Sequence, residues 1–204
     1  MKTPVIAALF AFAVAANGAA AGKGETMMEK ATFAGGCFWC MEPPFEHTAG
    51  VSEVISGYTG GSTQNPTYEE VSTGKTGHLE AVRVTYDPKT VSYETLLDVY
   101  WRNIDPTNDG GQFVDTGTQY KPAIFYHDDT QKRLAGESKV ALEKSGRFAK
   151  PIIVEIRKAA EFYPAEDYHQ DFHKKSPQRY KSYSANSGRD RFLRKYWGEE
   201  IPGK

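Results

Sequence analysis

Both cysteines of this 204-residue chain fall in one stretch, Gly35-Gly36-Cys37-Phe38-Trp39-Cys40-Met41-Glu42-Pro43-Pro44-Phe45-Glu46, and only two residues separate them. A short apolar run, Ala31 to Ala34, leads into it, and the paired glycines allow a tight change of direction. Pro43 and Pro44 suit the first turn of a helix, where a missing backbone N–H is tolerated. The stretch therefore predicts strand, tight turn, then helix, with the thiols at the helix N-terminus. The positive end of the helix dipole lowers a thiol pKa there. A bridge that closes so small a ring removes little chain entropy, so the pair makes a poor staple and a sensible reversible couple. A redox pair is the leading reading. An inert structural pair and a zinc site with His47 as third ligand are the others, and zinc lacks an evident fourth ligand. Cys37, on the glycine approach, is the better nucleophile and Cys40 the better resolving thiol.

The first residues have a separate character. Lys2 precedes an apolar run from Val5 to Ala16, and small residues follow as far as Gly22. That is the pattern of a secretory signal peptide over residues 1–21, cleaved after Ala21 or nearby, with an uncleaved anchor or a mitochondrial-type presequence as the other readings. The run is too short to cross a bilayer comfortably. The expectation is export, to a periplasm or outside the cell, with no stable membrane insertion after cleavage. Residues 22–204 then form one catalytic domain, with 176–204 as an irregular C-terminal extension. A formal net charge of -1 gives no reason to expect nucleic acid as a partner.

Along the chain, Ala31–Ala34, Val51–Tyr58, His78–Tyr86, Pro122–His127 and Pro151–Arg157 read as strands. Helices are expected near Met41–His47, from Ser92 to about Ile104, from Asp128 to about Ser145, and over Glu166–Lys175, with a short one possible at Asp190–Trp197. Thr67-x-x-Glu70 is a capping box for one short turn carrying Tyr68. Residues 105–119 form a long irregular stretch, and loops of that length tend to be functional. The fold class is α/β (α+β). The element order is that of a ferredoxin-like split βαβ plait with an added helix and strand and an irregular C-terminal segment.

Glu80 shares strand parity with Val82 and Val84, which puts an acid on an inward face. Buried, its pKa rises toward that of a general acid; at a frayed strand end it is merely solvated. Asp115, in the long loop, is either catalytic or an Asx-turn cap. Phe38 and Trp39 anchor the helix or floor an apolar pocket for a thioether. Tyr68, Tyr120, Tyr163 and Tyr180 are core residues or hydroxyl donors. His169 and His173 have a metal-compatible spacing but lack the glutamate of a zinc-protease motif, so structural hydrogen bonding is the favoured reading and no metal is expected.

Taken together, Gly35-Gly36-Cys37-Phe38-Trp39-Cys40-Met41-Glu42, Asn65-Pro66-Thr67-Tyr68-Glu69-Glu70-Val71, Gly77-His78-Leu79-Glu80-Ala81-Val82, Gly117-Thr118-Gln119-Tyr120 and Ala165-Glu166-Asp167-Tyr168-His169-Gln170 closely resemble peptide methionine sulfoxide reductase A. The matches run in order from about Met28 to Tyr180. The resemblance implies reduction of the S epimer of methionine sulfoxide, free or in peptides, with no cofactor. It implies that Cys37 attacks the sulfoxide sulfur and that Glu80 protonates the departing oxygen. Tyr68, Tyr120 and the network around Asp115 assist, and Phe38 and Trp39 hold the methyl group. Many members carry glycine in place of Cys40 and keep resolving cysteines near the C-terminus, where residues 176–204 have none. Recycling is then local, through Cys40, or uses an outside thiol. Thioredoxin or a thioredoxin-like dithiol is the expected reductant, oxidised methionine the substrate, and a monomer the expected state. The family's C-terminal tyrosine, a substrate-site residue, is matched loosely by Tyr180. Two other readings are a thioredoxin-like disulfide exchanger, which usually has its tryptophan just before the first cysteine, and a secreted binding domain with a small structural disulfide.

Overall fold

The strand that feeds the cysteines lies at the centre of the sheet. In the computed structural model, which describes residues 27–198, β1 (Glu29–Ala34) pairs antiparallel with β3 (Leu79–Tyr86) on one side and β6 (Ala123–Tyr126) on the other. Beyond β3 come β2 (Val51–Thr59) and then β8 (Phe162–Pro164), both antiparallel; beyond β6 comes β7 (Glu155–Lys158), in parallel. The six-stranded order is β7-β6-β1-β3-β2-β8. Its inner four strands, with α1 (Phe38–Glu46) linking β1 to β2 and α3 (Tyr93–Trp101) linking β3 to β6, are the split βαβ plait. The fold class read from the sequence is the one found. The expected signal segment, residues 1–21, lies outside the described residues.

Strand alternation divides the interior into two layers. Ala31, Phe33, Val82, Val84 and Tyr86 belong to the larger buried cluster, and Ala34, Leu79, Ala81, Ala123 and Phe125 to a second cluster with Phe162. Phe33 stacks on Phe45 of α1 at 5.0 Å and on Tyr100 of α3 at 5.2 Å between ring centroids, tying the strand to both helices. Truncating such a ring to alanine costs roughly 3–5 kcal/mol. Local signals also hold at the caps. Ser92 accepts from Thr95 N, Asp128 accepts from Gln131 N to start α4 (Asp129–Lys144), and both halves of the Thr67/Glu70 box start α2 (Tyr68–Ser72).

Several expectations are corrected. The helix after the cysteines begins at Phe38, so Pro43 and Pro44 lie inside α1 rather than in its first turn. The reason is tertiary: Glu80 Oε2 on β3 accepts from Phe38 N at 3.1 Å and fixes the first helical peptide. Pairing of the last predicted strand begins only at Glu155, with Ile152 and Val154 buried ahead of it, and β8 follows unannounced. Residues 167–170 are turns, and Asp171 at φ 53° confines α5 to the single turn Phe172–Lys175. The long loop contains the two-residue strands β4 (Gly111–Gln112) and β5 (Asp115–Thr116) and a 3-10 turn at Thr118–Tyr120.

Residues 176–204, read as irregular apart from a possible short helix at Asp190–Trp197, carry that helix as α7 (Arg189–Trp197) and ahead of it the unforeseen α6 (Pro177–Asn186), the two separated at Gly188 with φ 81°. No residue of α6 is fully buried, and the buried positions of α7 are Arg189 and Leu193. The apolar stripe of α7, Phe192, Leu193, Tyr196 and Trp197, is shielded while Arg191, Arg194 and Lys195 are exposed, whereas α6 turns only half-buried tyrosines inward and leaves no such stripe to read.

Candidate active site

The turn between β1 and α1 needs both glycines. A Cβ on Gly35 would stand 2.7 Å from Met41 Sδ and 2.8 Å from Ile104 Cγ2; on Gly36, at φ 86°, it would stand 2.5 Å from Gln112 Cβ. The turn leaves Cys37 as the N-cap of α1 and Cys40 in its first turn, both as buried thiols. The expected lowering of the Cys37 pKa is overturned. Burial pushes the thiol well above its ordinary value, and the charges of Glu80, Cys40 and Asp115 add to that, against a lowering hydrogen bond from Tyr183.

Glu80 is 2% exposed, on the inward face that its parity predicts. Burial raises its pKa to about 8, although the amide of Phe38 favours the ionised form. At neutral pH its carboxyl holds a proton. Because Cys37 acts electrostatically on Tyr68 and Tyr120, and all three feel Glu80 and Asp115, these five groups form one cluster. Asp115, on β5, accepts a hydrogen bond from Tyr183 Oη at 2.5 Å. Burial raises its pKa, while Tyr183 and the nearby Arg189 charge oppose the rise.

Phe38 and Trp39 extend from α1 into an aromatic wall. The Trp39 indole lies flat on Phe172 at 3.7 Å and donates Nε1–H to His169 Nδ1 at 3.0 Å. His169 also packs against Phe38 at 4.9 Å and Tyr68 at 4.5 Å. Glu166 secures that wall, accepting from Tyr68 N through Oε1 and from Tyr58 Oη through Oε2, each at 2.8 Å. His169 is thus engaged by an indole, while His173 lies 3.1 Å from Glu46 Oε2. Tyr163 lies on the sheet edge against His78. Tyr180 is near His173 and within electrostatic reach of Cys40, one helical turn before Tyr183.

Two residues missed by sequence reading complete the cluster. Tyr183 bridges Asp115 and Cys37, and its i+3 spacing from Tyr180 on α6 was the available signal. Arg189 is 2% exposed; it donates to Gly35 O at 3.1 Å, to Asn103 O, and to Met41 Sδ at 3.6 Å, under the Phe113 ring. Nothing in the local sequence marks it.

A buried thiol beside a buried acid, enclosed by tyrosines and an apolar aromatic wall, has the parts that displacement of oxygen from a polarised, weakly basic centre requires. A family model described as peptide methionine sulfoxide reductase matches residues 29–201. The chain belongs to the peptide methionine sulfoxide reductase A family. The MsrA of Bacillus licheniformis is 58% identical over 172 residues, covering 84% of this chain and 95% of that protein. The MsrA of Listeria monocytogenes is 58% identical over 170 residues, covering 83% and 96%. Among solved structures, MsrA of Corynebacterium diphtheriae aligns with a TM-score of 0.67 at 35% identity, over 76% of this chain and 77% of that one. Reduced Mxr1 of Saccharomyces cerevisiae aligns with a TM-score of 0.69 at 30% identity, over 74% and 87%. As an MsrA, the protein is an oxidoreductase that reduces methionine sulfoxide to methionine.

Proposed function

We propose that this MsrA reduces the S epimer of methionine sulfoxide, free or within polypeptides, by a two-thiol cycle. The observation that carries the reading is Glu80, a buried carboxylic acid with a pKa of about 8 that is electrostatically coupled to Cys37. Sulfur is attacked slowly unless its oxygen is protonated as charge develops. Glu80 passes that proton to the oxygen, with Tyr68 and Tyr120 donating hydrogen bonds, and the proton that Cys37 gives up on becoming the attacking thiolate replaces it on Glu80. The balance is neutral: thiol plus sulfoxide gives sulfenic acid plus thioether. Phe38 and Trp39 hold the methyl group, Asp115 and Tyr183 steady the Cys37 sulfur, and Tyr180 lies behind them.

Cys40 then condenses with the sulfenic acid, releasing water and leaving a Cys37–Cys40 disulfide. Its place three residues on, in the same first helical turn, supports this step. A thioredoxin-like dithiol reduces the disulfide by exchange. Residues 1–21 export the enzyme to a periplasm or beyond.

The test is methionine release from the two purified sulfoxide epimers with dithiothreitol as reductant. Release from the S epimer alone is expected; equal rates on both, or none, overturn the reading.

A further inference from the structure

One buried acid has no part in the cycle above. Glu42, on α1, is 1% exposed. Its Oε1 accepts from Asp171 N at 3.0 Å, while Oε2 is buried with no hydrogen-bond partner. The charges that act on this carboxyl are those of Glu46 and Asp171, opposed by Lys174. A carboxyl withdrawn from water beside two other acids is unfavourable unless a particular contact depends on it.

The helix shows which contact that is. Trp39, Glu42 and Glu46 are spaced i, i+3, i+7 and so follow one stripe of α1. All three hold the segment 169–174: Trp39 through His169 and Phe172, Glu42 through Asp171, and Glu46 through His173 and Lys174. Of the three, Glu42 is the one that takes hold of the segment's backbone. It does so at Asp171, whose φ of 53° puts a non-glycine residue in the left-handed region. Such a conformation persists only where the surroundings determine it. Phe172 follows directly, and its ring lies flat on the Trp39 indole at 3.7 Å. A rotation of the peptide at Asp171 therefore moves the ring on which Trp39 rests.

We propose that Glu42 is a positioning residue: by accepting from Asp171 N it seats Phe172 against Trp39, and so sets the size of the S-alkyl group that the substrate pocket takes. The proposal rests on the reading of Phe38 and Trp39 as the methyl pocket. Glu42 acts through two rings, and the specificity it confers is for a methyl sulfoxide over a larger alkyl one. Reach, rather than charge, is what this role demands.

Glu42→Asp and Glu42→Gln separate the two. Aspartate keeps the charge but is one carbon shorter, so its oxygen falls short of Asp171 N; glutamine loses the charge and keeps an acceptor in place. The readout is kcat/KM, with dithiothreitol as reductant, for the S epimers of methionine sulfoxide and of its S-ethyl homologue, ethionine sulfoxide. In Glu42→Asp the methyl-over-ethyl preference is expected to fall about tenfold, the scale on which a pocket senses one methylene, and in Glu42→Gln to stay within about twofold of the parent. Alkylation of Cys37 by iodoacetamide keeps the parent rate in both variants. Phe172→Leu lowers the preference as well, and Glu42→Asp adds nothing to it, because both act on one ring. A parent-like preference in Glu42→Asp, an equal loss in Glu42→Gln, or losses that multiply in the double variant overturns the proposal and leaves the reductase cycle intact. A parent enzyme that takes both sulfoxides equally well, or neither, removes the methyl pocket and the proposal with it.

Discussion

The backbone N–H of Phe38 donates to Glu80 Oε2 at 3.1 Å, so the group that caps the cysteine helix is also the acid of the site. One oxygen meets an N–H that the helix itself cannot satisfy, and the carboxyl is thereby fixed at the end of α1. Glu80→Gln keeps an acceptor and removes the transferable proton. Single-turnover methionine formation is expected to fall ~10²–10⁴-fold with little change in the urea midpoint. An unaltered single-turnover rate contradicts the acid role.

The same burial makes stability depend on pH. Glu80 is raised to about 8 and Glu42 to about 7, both from 4.5, so between those values the folded chain holds protons that the unfolded chain has lost. Stability is greatest below pH ~4.5 as far as these two groups decide it, and it declines as pH rises through 7 and then 8. Urea unfolding at fixed intervals from pH 5 to 9 is expected to show this fall. Glu80→Gln flattens the upper part of the slope and leaves the portion due to Glu42.

Tyr183 Oη donates to Asp115 at 2.5 Å and lowers the pKa of Cys37, whereas Tyr180 has no hydrogen bond to Asp115 among the described residues. Tyr183→Phe is expected to push the thiol pKa higher still and to cut kcat/KM about 10–100-fold, a loss of about 1.4–2.7 kcal/mol. Thiolate absorbance against pH, compared with a Tyr180→Phe control, measures the shift. Equal curves for Tyr183→Phe and the parent protein contradict the assignment.

Cys40→Ser removes the thiol proposed to resolve the sulfenic acid and leaves the α1 turn intact. One equivalent of methionine is expected per enzyme, with Cys37 recovered as sulfenic acid by trapping and mass spectrometry. Continued turnover with thioredoxin at the parent rate shows that another route closes the cycle.

Much of the fold was legible because its signals are local. Val82 and Val84 alternate with Arg83 and Thr85 along β3, and Ser92, Thr67 and Asp128 all act as the caps that their side chains predict. The start of α1 was not, since Pro43 and Pro44 give a local hint that a distant carboxylate overrides. The 166–175 segment misled in the same way. Asp171 N donates to Glu42 Oε1 at 3.0 Å, a long-range contact that accompanies the left-handed residue where a helix pattern ran on. In the site, the positions of Cys37, Glu80, Tyr68, Tyr120 and Asp115 could be named from motifs that carry them. Tyr183 and Arg189 were not: α6 has no buried apolar stripe to mark it as a helix and so to place Tyr183 beside Tyr180, and Arg189 is a lone buried cation at the head of α7.

Arg189 has a consequence for how the enzyme comes into being. Its guanidinium reaches back over 154 positions to Gly35 O, beside the turn that holds Cys37, and over 86 to Asn103 O. During synthesis those carbonyls emerge long before the side chain that ties them together. The site is therefore completed only once Arg189 has left the ribosome, and a chain cut at Gly188 carries both cysteines yet lacks the clasp around them. Both halves of such a nicked protein, mixed again, offer a direct way to watch the site close.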